Sequence, residues 1–110
     1  DNLDLLRSMG AELVAFSPVH DGHLPENLDG LLLYGGYPEL NGKALEENLS
    51  IRQEIAAAIK DGMPCLAECG GFMYLHESME GMDGKFYEMA GVIPGKVWRT
   101  PRLPGLAILL

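Results

Sequence analysis

Leu3, Leu6 and Met9 recur at helical spacing behind Asn2, a residue suited to capping, and Gly10 stands where a left-handed residue would end that helix. Residues 13–16 predict a strand. Residues 17–27, rich in Pro, Gly, Asp and His, predict a surface connection. The apolar run 31–34 reads as a second, fully buried strand, broken by Gly35-Gly36-Tyr37-Pro38; Leu40, Leu45 and Leu49 among polar residues then suggest a loop passing into a short helix. A stronger helix begins at Ser50. Ser50 and Gln53 have the spacing of a capping box, Ile51, Ile55, Ala58 and Ile59 form one stripe, and Gly62 supplies the stop. Met63-Pro64 launches the short strand 65–67, and Cys69-Gly70-Gly71 turns it into a helix over residues 72–76. Residues 80–84 predict a turn-rich loop, while 86–93 and 96–100 predict two further strands near the prolines at 94, 101 and 104.

Buried strands alternating with helices point to an α/β fold with a parallel sheet covered on both faces. Such sheets carry their sites at the C-terminal ends of strands, where Gly35-Gly36 and Cys69-Gly70-Gly71 stand. With 110 residues, 47% of them apolar, the chain is expected to form one unit around one core. Sixteen acidic against eight basic side chains give a net charge of -8, which leaves no electropositive footprint for nucleic acid or an anionic membrane. Cys65 and Cys69 flank one apolar run, a spacing that suits neither a disulfide framework nor zinc half-sites, so a reduced cytoplasmic setting without a metal is expected. No apolar run is long enough to span a bilayer, and Asp1-Asn2-Leu3-Asp4 lacks the parts of a signal peptide.

A thiol on a tight strand-to-helix turn is held out from the sheet, and the small residues beside it admit a close approach of backbone and substrate. Cys69 has that setting. The amides at the start of the next helix favour its thiolate, and the Gly70 amide is placed to face a developing oxyanion. Gly36, within Gly35-Gly36, is the candidate second donor. From the residues alone Cys69 reads equally well as a small buried apolar residue; for Cys65, inside its strand, packing is the preferred reading.

Tyr34-Gly35-Gly36-Tyr37-Pro38-Glu39-Leu40, followed by Ala67-Glu68-Cys69-Gly70-Gly71-Phe72-Met73-Tyr74-Leu75, resembles the cobyrinic acid a,c-diamide synthase family. The resemblance runs from Asn2-Leu3 through Ser17-Pro18 and Ala90-Gly91-Val92-Ile93-Pro94-Gly95 to about Arg102, whereas residues 103–110 do not look like the family. It implies a class I glutamine amidotransferase domain with a partial flavodoxin-like, three-layer fold and a mainly parallel sheet. Cys69 would attack the side-chain amide of glutamine and pass through a glutamyl thioester, releasing ammonia. The family joins such a domain to an ATP-binding amidoligase domain, where ATP and magnesium serve amidation of the a and c carboxylates of cobyrinate. Cobyric acid synthases, with an elbow closer to Gly-Ile-Cys-Gly-Gly-Tyr-Gln, and synthases acting on a nickel sirohydrochlorin are the related alternatives. A noncatalytic α/β binding module and a different cysteine hydrolase are the others.

The family's histidine lies far downstream, and His20, His23 and His76 match no motif of it. His76 is expected two helical turns beyond Cys69, about 10 Å along the axis, as a partly exposed helix residue. His20 and His23 are expected on the surface. Glu39 reads as a helix-start cap and Glu68 as a packing or supporting residue; Met73, Met79, Met82 and Met89 read as packing residues, and Tyr37 as a candidate lining for the glutamine pocket. The resemblance also places a central strand before the first helix, without which its two flanking strands lose their partner. The chain is therefore expected to be part of a larger protein, inactive alone, or to depend on pairing, with a homodimer as one form.

Overall fold

A computed structural model of the protein describes residues 2–33, 35–36, 38–99 and 106–108. Tyr34, Tyr37, Thr100 and most of the proline-rich tail lie outside the described residues. The chain runs through α1 (Asn2–Ser8), β1 (Leu31–Leu33), a 3₁₀ turn (Pro38–Leu40), α2 (Gly42–Glu47), α3 (Leu49–Lys60), β2 (Cys65–Ala67) and α4 (Gly70–Tyr74). It continues into β3 (His76–Glu80), β4 (Phe86–Glu88), β5 (Ile93–Arg99) and β6 (Leu106–Ile108).

Both helix stops follow from glycine. Gly10 (φ +93°) and Gly62 (φ +105°) take left-handed backbone. Their N–H groups bond Arg7 and Ile59 carbonyls, while Ala11 and Met63 reach back to Leu6 and Ala58, so each helix ends in a Schellman motif. Along α3 the predicted stripe packs inward: Ile51 and Ile55 are fully buried, each contributing about 1.5–3 kcal/mol relative to exposure. They join Leu31, Leu33, Leu45, Met73, Tyr74 and Leu75 in one core.

β1 and β2 run parallel, with Leu31 opposite Cys65 and Leu33 opposite Ala67. The second sheet has the order β4-β3-β5-β6; β3 and β5 are parallel, and the outer strands are antiparallel. The α/β class and the parallel pairing expected from sequence are present, with a mixed sheet joined to them. β4 is antiparallel because the tight turn after Glu80, closed by the Gly81 N–H to Lys85 carbonyl bond, returns the chain beside β3.

Four expectations are corrected. Residues 13–16 form no ladder: among the described residues β1 pairs with β2 alone, and a slot of about 860 Å³ lies between Leu13 and Val14 on one side and Leu31 and Leu32 on the other, whereas bonded strands lie about 4.8 Å apart. The helix expected over 72–76 ends at Tyr74, and His76 opens β3 opposite Ile93 because Val92 and Ile93 bond the Leu75 carbonyl and draw the chain into the sheet. The strand expected over 86–93 stops at Glu88, and the next one starts earlier than expected, at Ile93. It tolerates Pro94 because the β3–β5 register shifts there and Gly95, at φ +116°, takes up the irregularity. Finally, α3 starts at Leu49 with Asn48 at its N-cap and no side-chain cap, since the Ser50 hydroxyl donates to the Gly22 carbonyl instead.

Candidate functional site

At the end of β2 the Glu68 N–H bonds the Leu33 carbonyl at 2.9 Å, prolonging the pairing with β1 by one residue. The next residue, Cys69, takes φ +49° and ψ −118°, an unusual conformation for a residue with a side chain, costing on the order of 1–3 kcal/mol. Its carbonyl already accepts the Met73 N–H, so the turn passes directly into α4 with the thiol exposed at its start. This is the elbow that the sequence pattern requires.

The two glycines after Cys69 make the elbow possible. A methyl group on Gly71 would lie 1.9 Å from the Leu33 carbonyl oxygen, and one on Gly70 would lie 2.3 Å from that of Gly35. Bare backbone therefore lets α4 rest on the end of β1, and this contact brings Gly35-Gly36 beside Gly70. Gly35 and Gly36 both have positive φ (+76° and +71°), which allows their peptides to turn where a side chain would oppose it. Gly70 opens α4, so its N–H has no acceptor within the helix.

Beside the elbow lies a cavity of about 250 Å³, with Gly35, Gly36, Gly70 and Gly71 on one side and Phe16, Pro18 and Val19 on another. Tyr74 also lines it. The Tyr74 hydroxyl is buried with no protein partner, and burial pushes its pKa up to about 12, with the Arg52 charge acting weakly in the opposite direction. Sequence reasoning missed this wall. Tyr74 stands four residues from Gly70 and so faces the same side of α4, a signal available in the spacing; Pro18 and Val19 carry no local signal, because only the fold brings their connection here.

His76 is corrected from a partly exposed helix residue to a fully buried strand residue. Its Nδ1 donates to the Phe72 carbonyl at 2.9 Å, its ring meets Phe72 edge-on, and Nε2 is buried without a protein partner. His20 and His23 are exposed as expected, His23 through Nδ1 against Glu54. Glu39 does not cap α2: Asn41 holds the N-cap without a side-chain bond, and the Glu39 carbonyl instead accepts the Met82 N–H. Glu68 is exposed, which removes a packing role, and Met82, at the turn, is exposed while Met73, Met79 and Met89 are buried. Burial raises the Cys65 thiol pKa, in keeping with packing. Tyr37 lies outside the described residues.

Among the described residues no three His, Cys, Asp or Glu side chains gather to hold a metal, and no helix is long and apolar enough to cross a membrane. The arrangement joins an exposed thiol, a first-turn amide with no acceptor inside its own helix and a second glycine loop.

Residues 1–104 match the model of the CobB/CobQ-like glutamine amidotransferase domain. The chain is 52% identical over 103 residues to a cobyrinate a,c-diamide synthase of Listeria innocua, covering 94% of this chain and 22% of that protein. Similar proteins of the same name occur in Dehalococcoides mccartyi, at 49% identity over 94 residues (86% and 20%), and Thermoplasma volcanium, at 47% over 103 (94% and 23%). The chain thus spans about a fifth of the length of the curated relatives it matches.

Proposed function

The chain belongs to the CobB/CobQ-like glutamine amidotransferase domain family, and from that premise we propose that it is the glutaminase portion of a cobyrinate a,c-diamide synthase. The observation that carries the chemistry is Cys69 at φ +49° on the β2–α4 elbow, with Gly70 resting against the Gly35 carbonyl. Its sulfur forms a bond to the side-chain amide carbon of glutamine, and the displaced electron pair becomes an oxyanion facing the amides of Gly70 and Gly36. Collapse breaks the C–N bond as nitrogen takes a proton and leaves as ammonia. Water then hydrolyses the thioester, releasing glutamate and restoring the thiol. His76 is enclosed and bonded to Phe72, and His23 is turned to Glu54, so neither ring is presented to the thiol as proton donor and base.

In this reading ATP and magnesium serve a separate amidoligase domain, where the cobyrinate carboxylates are activated and to which this domain delivers ammonia. In this reading the slot between residues 13–14 and β1 is the place of the central strand that the resemblance puts before α1. Replacing Cys69 by Ser in the complete synthase is expected to abolish glutamine-dependent amidation and leave amidation from added ammonium intact. Retained glutaminase activity in that variant would assign the hydrolysis to another residue.

A further inference from the structure

The polar residues at the start of α3 are diverted from the helix. Asn48 occupies the N-cap, where an asparagine side chain ordinarily bonds the first-turn amides and contributes about 1 kcal/mol, yet it makes no such bond. Instead its Nδ2 donates to the carbonyls of Pro18 and Asp21, both at 2.8 Å. Two carbonyl acceptors fix which end of the amide is the nitrogen. Ser50 Oγ donates to the Gly22 carbonyl at 2.7 Å, and the Glu54 carboxylate receives the Leu24 N–H at 3.0 Å and meets His23 Nδ1. The N-cap side chain and two side chains one turn apart on α3 thus clamp a connection 27 to 31 residues away in sequence.

The clamped connection is the cavity wall beside the elbow. Pro18, whose carbonyl Asn48 holds, and the adjoining Val19 line the space shared with Gly36 and Gly70. A turn within the connection is fixed by Ser17 and Asp21: the Ser17 N–H bonds Asp21 Oδ2 at 2.7 Å, and the Asp21 N–H bonds the Ser17 carbonyl at 2.8 Å. The connection is thus tied within itself at the turn and held to α3 by the bonds of Asn48, Ser50 and Glu54.

We propose that Asn48 is a positioning residue for glutamine binding, setting the Pro18–Val19 wall through its two amide hydrogen bonds; this rests on the reading of Cys69 as the glutaminase nucleophile. It touches neither thiol nor substrate and acts through the connection it holds. Asn48→Asp keeps the shape but loses both donors, and Ser50→Ala removes one bond at an exposed position.

In the complete synthase, Asn48→Asp is expected to raise KM for glutamine about tenfold, the loss of two neutral hydrogen bonds, with kcat within about twofold. A glutamine chloroketone should label Cys69 more slowly in the same proportion, while iodoacetamide labels it at the wild-type rate. Ser50→Ala should show the same split at about threefold, and it decides the matter where Asn48→Asp does not fold. An unchanged KM in folded variants, or a parallel fall in kcat and iodoacetamide labelling, overturns the positioning role alone. A wild-type Cys69 with no preference for the chloroketone overturns the glutaminase premise and this role with it.

Discussion

Replacing Gly71 by Ala probes the contact on which the elbow rests. The added methyl would lie 1.9 Å from the Leu33 carbonyl oxygen, 2.2 Å from its carbon and 2.7 Å from its Cβ. Ordinary contact begins near 3.4 Å, so α4 and β1 must separate by more than an ångström. Neither side yields easily, because Leu33 is paired with Ala67 and its carbonyl accepts the Glu68 N–H. Overpacking of this kind costs about 1–3 kcal/mol, and loss of the Glu68 bond adds about 1, giving a destabilisation of about 3 kcal/mol. Gly62→Ala is the control: at φ +105° with nothing within 4 Å, it carries backbone strain alone, about 1–2 kcal/mol. Urea unfolding followed by the fluorescence of Trp98 and by far-ultraviolet circular dichroism measures both. A Gly71→Ala midpoint within about 1 kcal/mol of wild type, or a loss equal to that of Gly62→Ala, would refute close packing at the elbow.

Tyr74 has a pKa pushed up to about 12 from 10 by burial, so its contribution is complete below pH 10 and is lost as pH rises through 12. Tyr74→Phe should remove about 3 kcal/mol of alkaline sensitivity in that window and be neutral or stabilising at pH 7, where the hydroxyl has no protein partner; an unchanged alkaline unfolding curve would contradict this. The Glu54 carboxyl is held below its usual range by the bond to His23 and then by the Leu24 N–H. Its stabilisation is present above the ordinary carboxylate pKa and lost as pH falls, so thermal midpoints between pH 6 and about 3 should fall less steeply in Glu54→Gln than in wild type. Equal slopes would remove Glu54 from the clamp.

Local rules located the elements that close on themselves. The stripe Ile51, Ile55, Ala58, Ile59 and the glycines at 10 and 62 specify helices within a few residues of chain, and they formed where expected. The elbow was legible for the same reason, since strand, thiol and paired glycines are contiguous. What sequence did not disclose depends on partners far along the chain. Ser50 had the spacing of a capping box but found the Gly22 carbonyl, and His76 had a helical setting but was drawn into β3 by residues near position 93. Residues 13–16 have strand composition, yet a strand forms only where a neighbour supplies its hydrogen bonds, and β1 is held across a slot. The connection bearing Pro18 and Val19 looked like surface and became a cavity wall, because its placement is decided by Asn48, Ser50 and Glu54.

The most direct test of Cys69 as a glutamine-hydrolysing nucleophile is to treat the complete synthase with a glutamine chloroketone and locate the adduct by peptide mass spectrometry, with and without excess glutamine. Cys69 is exposed on its elbow, whereas burial raises the Cys65 thiol pKa. The expected result is one adduct, on Cys69, whose formation glutamine slows. Equal modification of Cys65 and Cys69, or labelling of Cys69 that glutamine leaves unchanged, would contradict the assignment.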